Sequence, residues 1–145
     1  DLATLWAPPA STEPGAYAFR LYRNYDGQHH AFGETSVQAV SADQDRLAIY
    51  AAKRGADNTL TLMVINKSTG ALTGTVSLAE YTPGLFAPMY RYSASNLNAI
   101  VRGADQAIGP GGFTAAFPPS SMTLVIIPPG VPLTPRVWLP IVLVQ

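Results

Sequence analysis

Apolar positions along most of this chain recur at strand spacing. Two dense apolar runs, residues 47–52 and 60–65, flank a polar segment at residues 53–59. Both runs are shorter than ordinary helices, and the second is rich in β-branched side chains, so the pair is predicted to form a β-hairpin. Gly55, Ala56, Asp57 and Asn58 supply the turn chemistry, including the left-handed backbone that Gly and Asn tolerate. Leu47, Ile49 and Ala51 then share one face, with Ala48, Tyr50 and Ala52 on the other. In the partner strand Leu60, Leu62 and Val64 oppose Thr61, Met63 and Ile65. Neither strand has a wholly polar face, which predicts a central sheet covered on both sides. A third strand is predicted over residues 72–78.

One stretch breaks this rhythm. Ala18, Leu21, Tyr22 and Tyr25 fall at i, i+3, i+4 and i+7, the stripe of an amphipathic helix over residues 14–25. Pro14 suits a first helical position, Thr12 or Glu13 the cap, and Gly27 the stop. Residues 1–6 read as a short strand before a Pro-rich loop. After Gly27 the chain returns to short strands and turns. Strands are predicted over residues 35–40, 87–93, 113–117 and 122–127, with a turn at 95–98 and a short apolar segment at 99–102. Gly/Pro punctuation between them predicts a mainly β fold, an antiparallel β-sandwich with one N-terminal helix. The Pro-rich tail could add an edge strand at residues 137–144.

Composition narrows the function classes. The 145 residues suffice for one core, and 48% are hydrophobic. Only 12% are charged and the formal net charge is zero, which gives no support to nucleic acid or an anionic membrane as partner. With no cysteine there is no disulfide framework, thiol nucleophile or thiolate metal site. No signal peptide opens the sequence, and no apolar run reaches the roughly 20 residues that span a bilayer. The start at Asp1, without methionine, suggests a mature or excised fragment.

Three segments carry a resemblance: AYAFRLYRNYDGQHHAFGETSV, DRLAIYAAKRGADNTLTLMVINKS and MYRYSASNLNAIV. Together they resemble the C-terminal region of family 44 glycoside hydrolases, secreted endoglucanases and xyloglucanases acting on β-1,4-glucans. The resemblance spans most of residues 1–127 and fades at 79–88 and 106–112. It implies that residues 1–25 are the last strand and helix of a catalytic β/α barrel and that residues 26–129 are a β-sandwich beside it. Residues 130–145 fall outside it; their end, VWLPIVLVQ, is similar to tails of other exported bacterial proteins. The implied partner is the barrel of the same parent chain, with β-glucan as a further candidate and a secreted location.

Glycoside hydrolysis needs two carboxyl groups flanking the scissile bond. The resemblance implies that both are glutamates upstream of this segment. Here there are only Glu13, Glu34 and Glu80. None lies in a matching motif, and helix-end or solvated-turn roles are expected, so no catalytic residue and no hydrolase activity are expected of this segment. His29 and His30 are adjacent and so point apart in an extended chain, which is poor zinc geometry. Asp26, Asp43, Asp45 and Asp57 carry suitable oxygens for calcium, but their spacing matches no calcium loop. No metal and no cofactor are expected. Asn66, Lys67 and Ser68 fit a glycosylation pattern, read as incidental in a bacterial-looking sequence. Ser120 and Ser121 lack a nucleophile-elbow context, and residues 109–112 lack the lysine of a phosphate loop; both are read as turns.

Aromatic side chains leave one binding signal. Tyr and Trp faces can stack on the apolar faces of sugars. Tyr17, Tyr22, Tyr25, Tyr50, Tyr90 and Tyr92 are numerous enough to do so, although filling the core and the helix–sheet boundary is the expected use. The resemblance implies a different role for Trp6, after the last barrel strand: contact with the sugar in the intact enzyme. The expected function is thus a non-catalytic sandwich that supports the barrel. An independent carbohydrate-binding module and a cell-surface interaction domain are the alternatives, since fold does not determine function.

Overall fold

A computed structural model describes residues 7–131. The chain opens with helix α1 (Pro14–Arg23) and continues through β1 (Thr35–Val37), β2 (Leu47–Lys53), β3 (Leu60–Asn66) and β4 (Leu72–Ser77). It then forms β5 (Phe86–Ala87), β6 (Met89–Ser93), β7 (Asn96–Arg102), β8 (Gln106–Ala107), β9 (Gly112–Phe117) and β10 (Ser121–Ile127). Six strands make the main sheet in the order β1-β2-β3-β10-β6-β7, antiparallel throughout. Two smaller pairs, β4-β9 and β5-β8, are also antiparallel. The fold is a mainly β sandwich with one helix.

The predicted hairpin is β2–β3, in register from Leu47↔Asn66 to Lys53↔Leu60. Asn58 supplies the left-handed residue of its turn, with φ 58°. β3 and β10 sit at the centre of the sheet because both carry apolar side chains on both faces. One face is filled by Leu60, Leu62, Val64, Val125 and Ile127 against Phe113, Ala115 and Phe117 of β9. The opposite face packs Met63, Leu124, Ile126 and Tyr92 against Tyr17 and Leu21 of α1. Strand periodicity alone sends the two sets apart.

Several predicted elements shift. The strand expected over residues 35–40 ends at Val37. Pro88 divides the segment at 87–93 into β5 and β6, since its nitrogen brings no N–H to a ladder. The turn expected at 95–98 is half strand: β7 starts at Asn96, which pairs with Ser93 across a tight connection. The third strand, β4, does not extend the hairpin but crosses to the other layer and pairs with β9.

The helix also differs in detail. It ends at Arg23, and its deepest residues are Tyr17 and Leu21 rather than the whole of the predicted stripe. Tyr25 is buried just beyond it, while Ala18 and Tyr22 are half-buried. Pro14 follows Glu13 at the N-cap, whose carboxylate accepts a hydrogen bond from the Ala10 N–H (3.0 Å). Arg20 and Arg23 in the last turn complement the helix dipole. The predicted strands at residues 1–6 and 137–144, like Trp6, lie outside the described residues.

Candidate functional site

The helix–sheet seam gathers most of the tyrosines that the sequence singles out. Tyr17 stacks on Tyr92 with ring centroids 4.7 Å apart and planes 12° from parallel. Its hydroxyl donates to the Asn98 carbonyl at 2.7 Å, tying α1 to β7. Tyr25 and Tyr90 lie 4.7 Å apart, and Tyr22 meets Phe32 edge-on at 5.1 Å. Such pairs each contribute about 0.5–1.5 kcal/mol beyond the area they bury. The Arg20 guanidinium sits 4.7 Å above the outer part of the same cluster, over the Tyr17 ring.

A second tie runs through the hairpin turn. Arg54 donates to the Tyr25 hydroxyl (3.2 Å) and to both carboxylate oxygens of Asp57 (3.2 and 2.7 Å). Desolvation pushes the Asp57 carboxyl up, but hydrogen bonds from Thr59 and Arg54 outweigh it and hold its pKa below the usual value. Desolvation raises the Tyr25 phenol, and the charge and hydrogen bond of Arg54 offset only part of that rise. Gly33 brings the post-helix loop across β2: a Cβ there would lie 2.6 Å from the Lys53 carbonyl carbon, so only glycine fits. The Gly33 N–H donates to the buried Thr61 hydroxyl, which itself donates to the Ala52 carbonyl.

Beside the seam lies an open cleft of about 690 Å³, lined by Tyr90, Arg20, Asp26, Gln28, Asn98 and Arg102 among others. Its composition suits a hydroxylated ligand, but its charged groups already have partners. Asp26 pairs with His30 and accepts from the Gln28 N–H, Arg102 pairs with Asp105, and Arg20 donates to the Ser11 carbonyl. The Tyr17, Tyr25 and Tyr92 rings are buried against their neighbours. Tyr50 is the tyrosine of that set that stands open to solvent, at 46% exposure.

The remaining candidates are dispersed. Glu34 accepts from the Gly55 N–H (2.6 Å) at the hairpin turn, Glu13 stands at the N-cap position of α1 with its carboxylate on the Ala10 N–H, and Glu80 is exposed with φ 55°. Asp43 accepts from the Arg46 N–H, apart from the pairings of Asp26 and Asp57. Among the described residues no three His, Asp or Glu side chains gather as metal ligands. Two residues carry much of the loop architecture: Tyr81, which the sequence does not single out, and Asn66, which it marks only through an incidental glycosylation pattern. Asn66, 1% exposed, donates from Nδ2 to the Gly70, Phe117 and Pro118 carbonyls, each at 2.9 Å. The Tyr81 hydroxyl reaches the carbonyls of Asn58 and Ile127 and accepts from the Leu60 N–H. No local pattern announces the long-range ties, Asn66 to the Phe117 and Pro118 carbonyls and Tyr81 to those of Asn58 and Ile127.

No family model matches the chain. It is 28% identical over 130 residues to endoglucanase A of Paenibacillus lautus, covering 86% of this chain and 18% of that protein. Among solved structures, CelM2, a bifunctional glucanase–xylanase from a metagenome library, is 33% identical with a TM-score of 0.82, over 86% of this chain and 24% of that one. A family 44 xyloglucanase of Paenibacillus polymyxa is 29% identical with a TM-score of 0.74, over 80% of this chain and 23% of that one. The chain thus spans about a quarter or less of the length of these relatives.

Proposed function

Starting from a chain similar in sequence and fold to the C-terminal region of family 44 glycoside hydrolases, we propose that it is the non-catalytic β-sandwich accessory domain of a secreted β-1,4-glucan-degrading enzyme. Its work is structural: it holds the last helix of the catalytic barrel and covers apolar surface of that barrel. One observation carries this reading. The helix is fastened to the sheet by stacked tyrosines and by the Tyr17–Asn98 hydrogen bond, while Phe19 on another side of it is 44% exposed. A helix with one face locked and an aromatic presented elsewhere suits an element shared between two bodies. Residues 1–25 are then the barrel's end, residues 26–129 the sandwich and residues 130–145 an appended tail. Trp6 would meet substrate only in the intact barrel.

The separation of the candidate carboxylates supports a non-catalytic role, because hydrolysis requires a facing pair. The engaged polar groups of the cleft favour a structural domain over a sugar-binding module. Isothermal titration of the purified chain with cello-oligosaccharides and xyloglucan fragments should therefore give no saturable heat. Micromolar saturation that disappears in Tyr50→Ala or Tyr90→Ala would replace the structural reading with the binding-module one.

A further inference from the structure

Arg91 is held in place without a counter-ion. It stands in the middle of β6, opposite Thr123 of β10 and Val101 of β7. Strand alternation turns it to the face shared with Met89, while Tyr90 and Tyr92 on either side of it turn to α1. Its Nε donates to the buried Thr123 hydroxyl at 3.1 Å and its Nη2 to the Ala116 carbonyl of β9 at 3.3 Å. These bonds fix the plane of the guanidinium and leave Nη1 without an acceptor among the described residues. No carboxylate meets it there either, since the ion pairs of the described residues join Asp26 to His30, Asp57 to Arg54 and Asp105 to Arg102. Partial burial accordingly lowers its pKa, with no charge acting in the other direction. Arg91 lines a cleft of about 370 Å³ together with Ser93, Ser95, Asn96, Val101 and Gln106, and none of the lining residues is acidic. The Ser93 and Ser95 hydroxyls bond one another at 2.7 Å, and Ser95 and Asn96 are exposed.

We propose that this cleft binds a sugar acid, with the carboxylate of a uronate residue on Arg91. A planar guanidinium presents paired donors that fit a carboxylate, and one already fixed in place loses little freedom on binding. The neutral side chains of Ser95, Asn96 and Gln106 suit ring hydroxyls, and the exposed Val101 suits an apolar sugar face. The volume lies at the lower end of ligand pockets, which run from about 300 to 1,000 Å³, and so favours a single sugar over a chain. Neutral glucans bring no carboxylate, so the site is silent toward the cello-oligosaccharides and xyloglucan fragments named above. That the ligand comes from outside the parent chain rests on the accessory-domain reading. That reading puts the barrel on the α1 side, and Arg91 opens on the opposite face of the main sheet.

The test is a titration of the 145-residue chain followed by backbone amide NMR, with D-glucuronate as the probe. Glucose, acetate and inorganic phosphate at matched ionic strength are the controls. Glucuronate should shift the amides around Arg91, Val101 and Thr123 saturably. Glucose, which lacks the carboxylate, and acetate and phosphate, which lack the ring hydroxyls, should bind more weakly. Arg91→Gln should weaken glucuronate by at least about tenfold, the order expected for losing charge-assisted hydrogen bonds. Val101→Glu sets an internal carboxylate across the β6–β7 ladder from Arg91 and should abolish binding, while Val101→Gln should retain it. Val101 is exposed on the edge strand of the sheet, so neither change enters the core. The intact parent enzyme should bind glucuronate through the same arginine. The proposal is overturned by no shift with glucuronate, by a control that binds as tightly, or by undiminished binding in a folded Arg91→Gln. Equal affinities in the two Val101 variants, or binding by the chain that the parent lacks, would overturn it as well. Each of these results leaves the accessory reading standing, whereas hydrolysis of glucan by the chain would end that reading and leave the titration in place.

Discussion

Replacing Asn66 with alanine is expected to destabilise the domain by about 3 kcal/mol, far more than its place at a strand end suggests. The side-chain amide has two hydrogens, shared among the carbonyls of Gly70, Phe117 and Pro118, and its oxygen accepts from the Ser68 N–H and hydroxyl. It fastens the β3–β4 connection to the β9–β10 connection. Each buried group left without a partner costs about 1–3 kcal/mol. Asn66→Asp should be as harmful at neutral pH, because it sets a carboxylate against three carbonyl oxygens, and should recover in part as acid protonates it. Lys67→Ala, next door and exposed, should stay within about 0.5 kcal/mol of the parent. Urea unfolding reads all three from the midpoint at unchanged slope. Equal midpoints for Asn66→Ala and Lys67→Ala would show that the loops hold together without this residue. The same burial rules out the glycosylation pattern in the folded chain, since the Nδ2 that would carry the glycan is engaged.

Leu21→Ala should cost roughly 2–5 kcal/mol, the range for deleting a buried leucine. Leu21 is fully buried in the cluster formed by Tyr17, Tyr25, Met63, Tyr92, Leu124 and Ile126. Its loss opens a cavity between the helix and the centre of the main sheet, where neighbours held by the strand ladder cannot collapse into it. Arg23→Ala, on the exposed side of the same helix, should cost only the few tenths of a kcal/mol of a helix-dipole contact. Small and equal effects would mean that α1 adheres loosely to the sandwich and cannot act as the proposed join.

Where periodicity is local, the sequence was informative. The β2–β3 hairpin, the start of α1 at Pro14 and the late strand β10 all follow from the spacing of apolar residues and from turn chemistry next to them. The helix face was legible only in part. Leu21 was expected inside, but Tyr17 takes the deep position because Tyr92 and the Asn98 carbonyl, far along the chain, meet it there. β7 was hidden because Asn96 and Asn98 read as turn formers, although a strand on the sheet edge can expose them. The membership of β4 in the second layer was likewise out of reach, since β4 and β9 lie some forty residues apart and only their packing pairs them. For the candidate site, the abundance of tyrosines was visible, and the expected core and boundary roles match the seam. That Tyr50 alone of that set stays open, and that Tyr81 and Asn66 tie the loops, depends on tertiary neighbours.

The central claim is that this chain supports catalysis without performing it. The release of reducing ends from soluble β-glucan and xyloglucan by the purified chain tests that claim most directly. No release above a protein-free control is expected over prolonged incubation, because Glu13 and Glu34 are each held by a backbone N–H, of Ala10 and Gly55, and Glu80 is exposed in a loop. Sustained release, abolished by Glu34→Gln or Glu80→Gln in a protein that still unfolds at the parent midpoint, would contradict it.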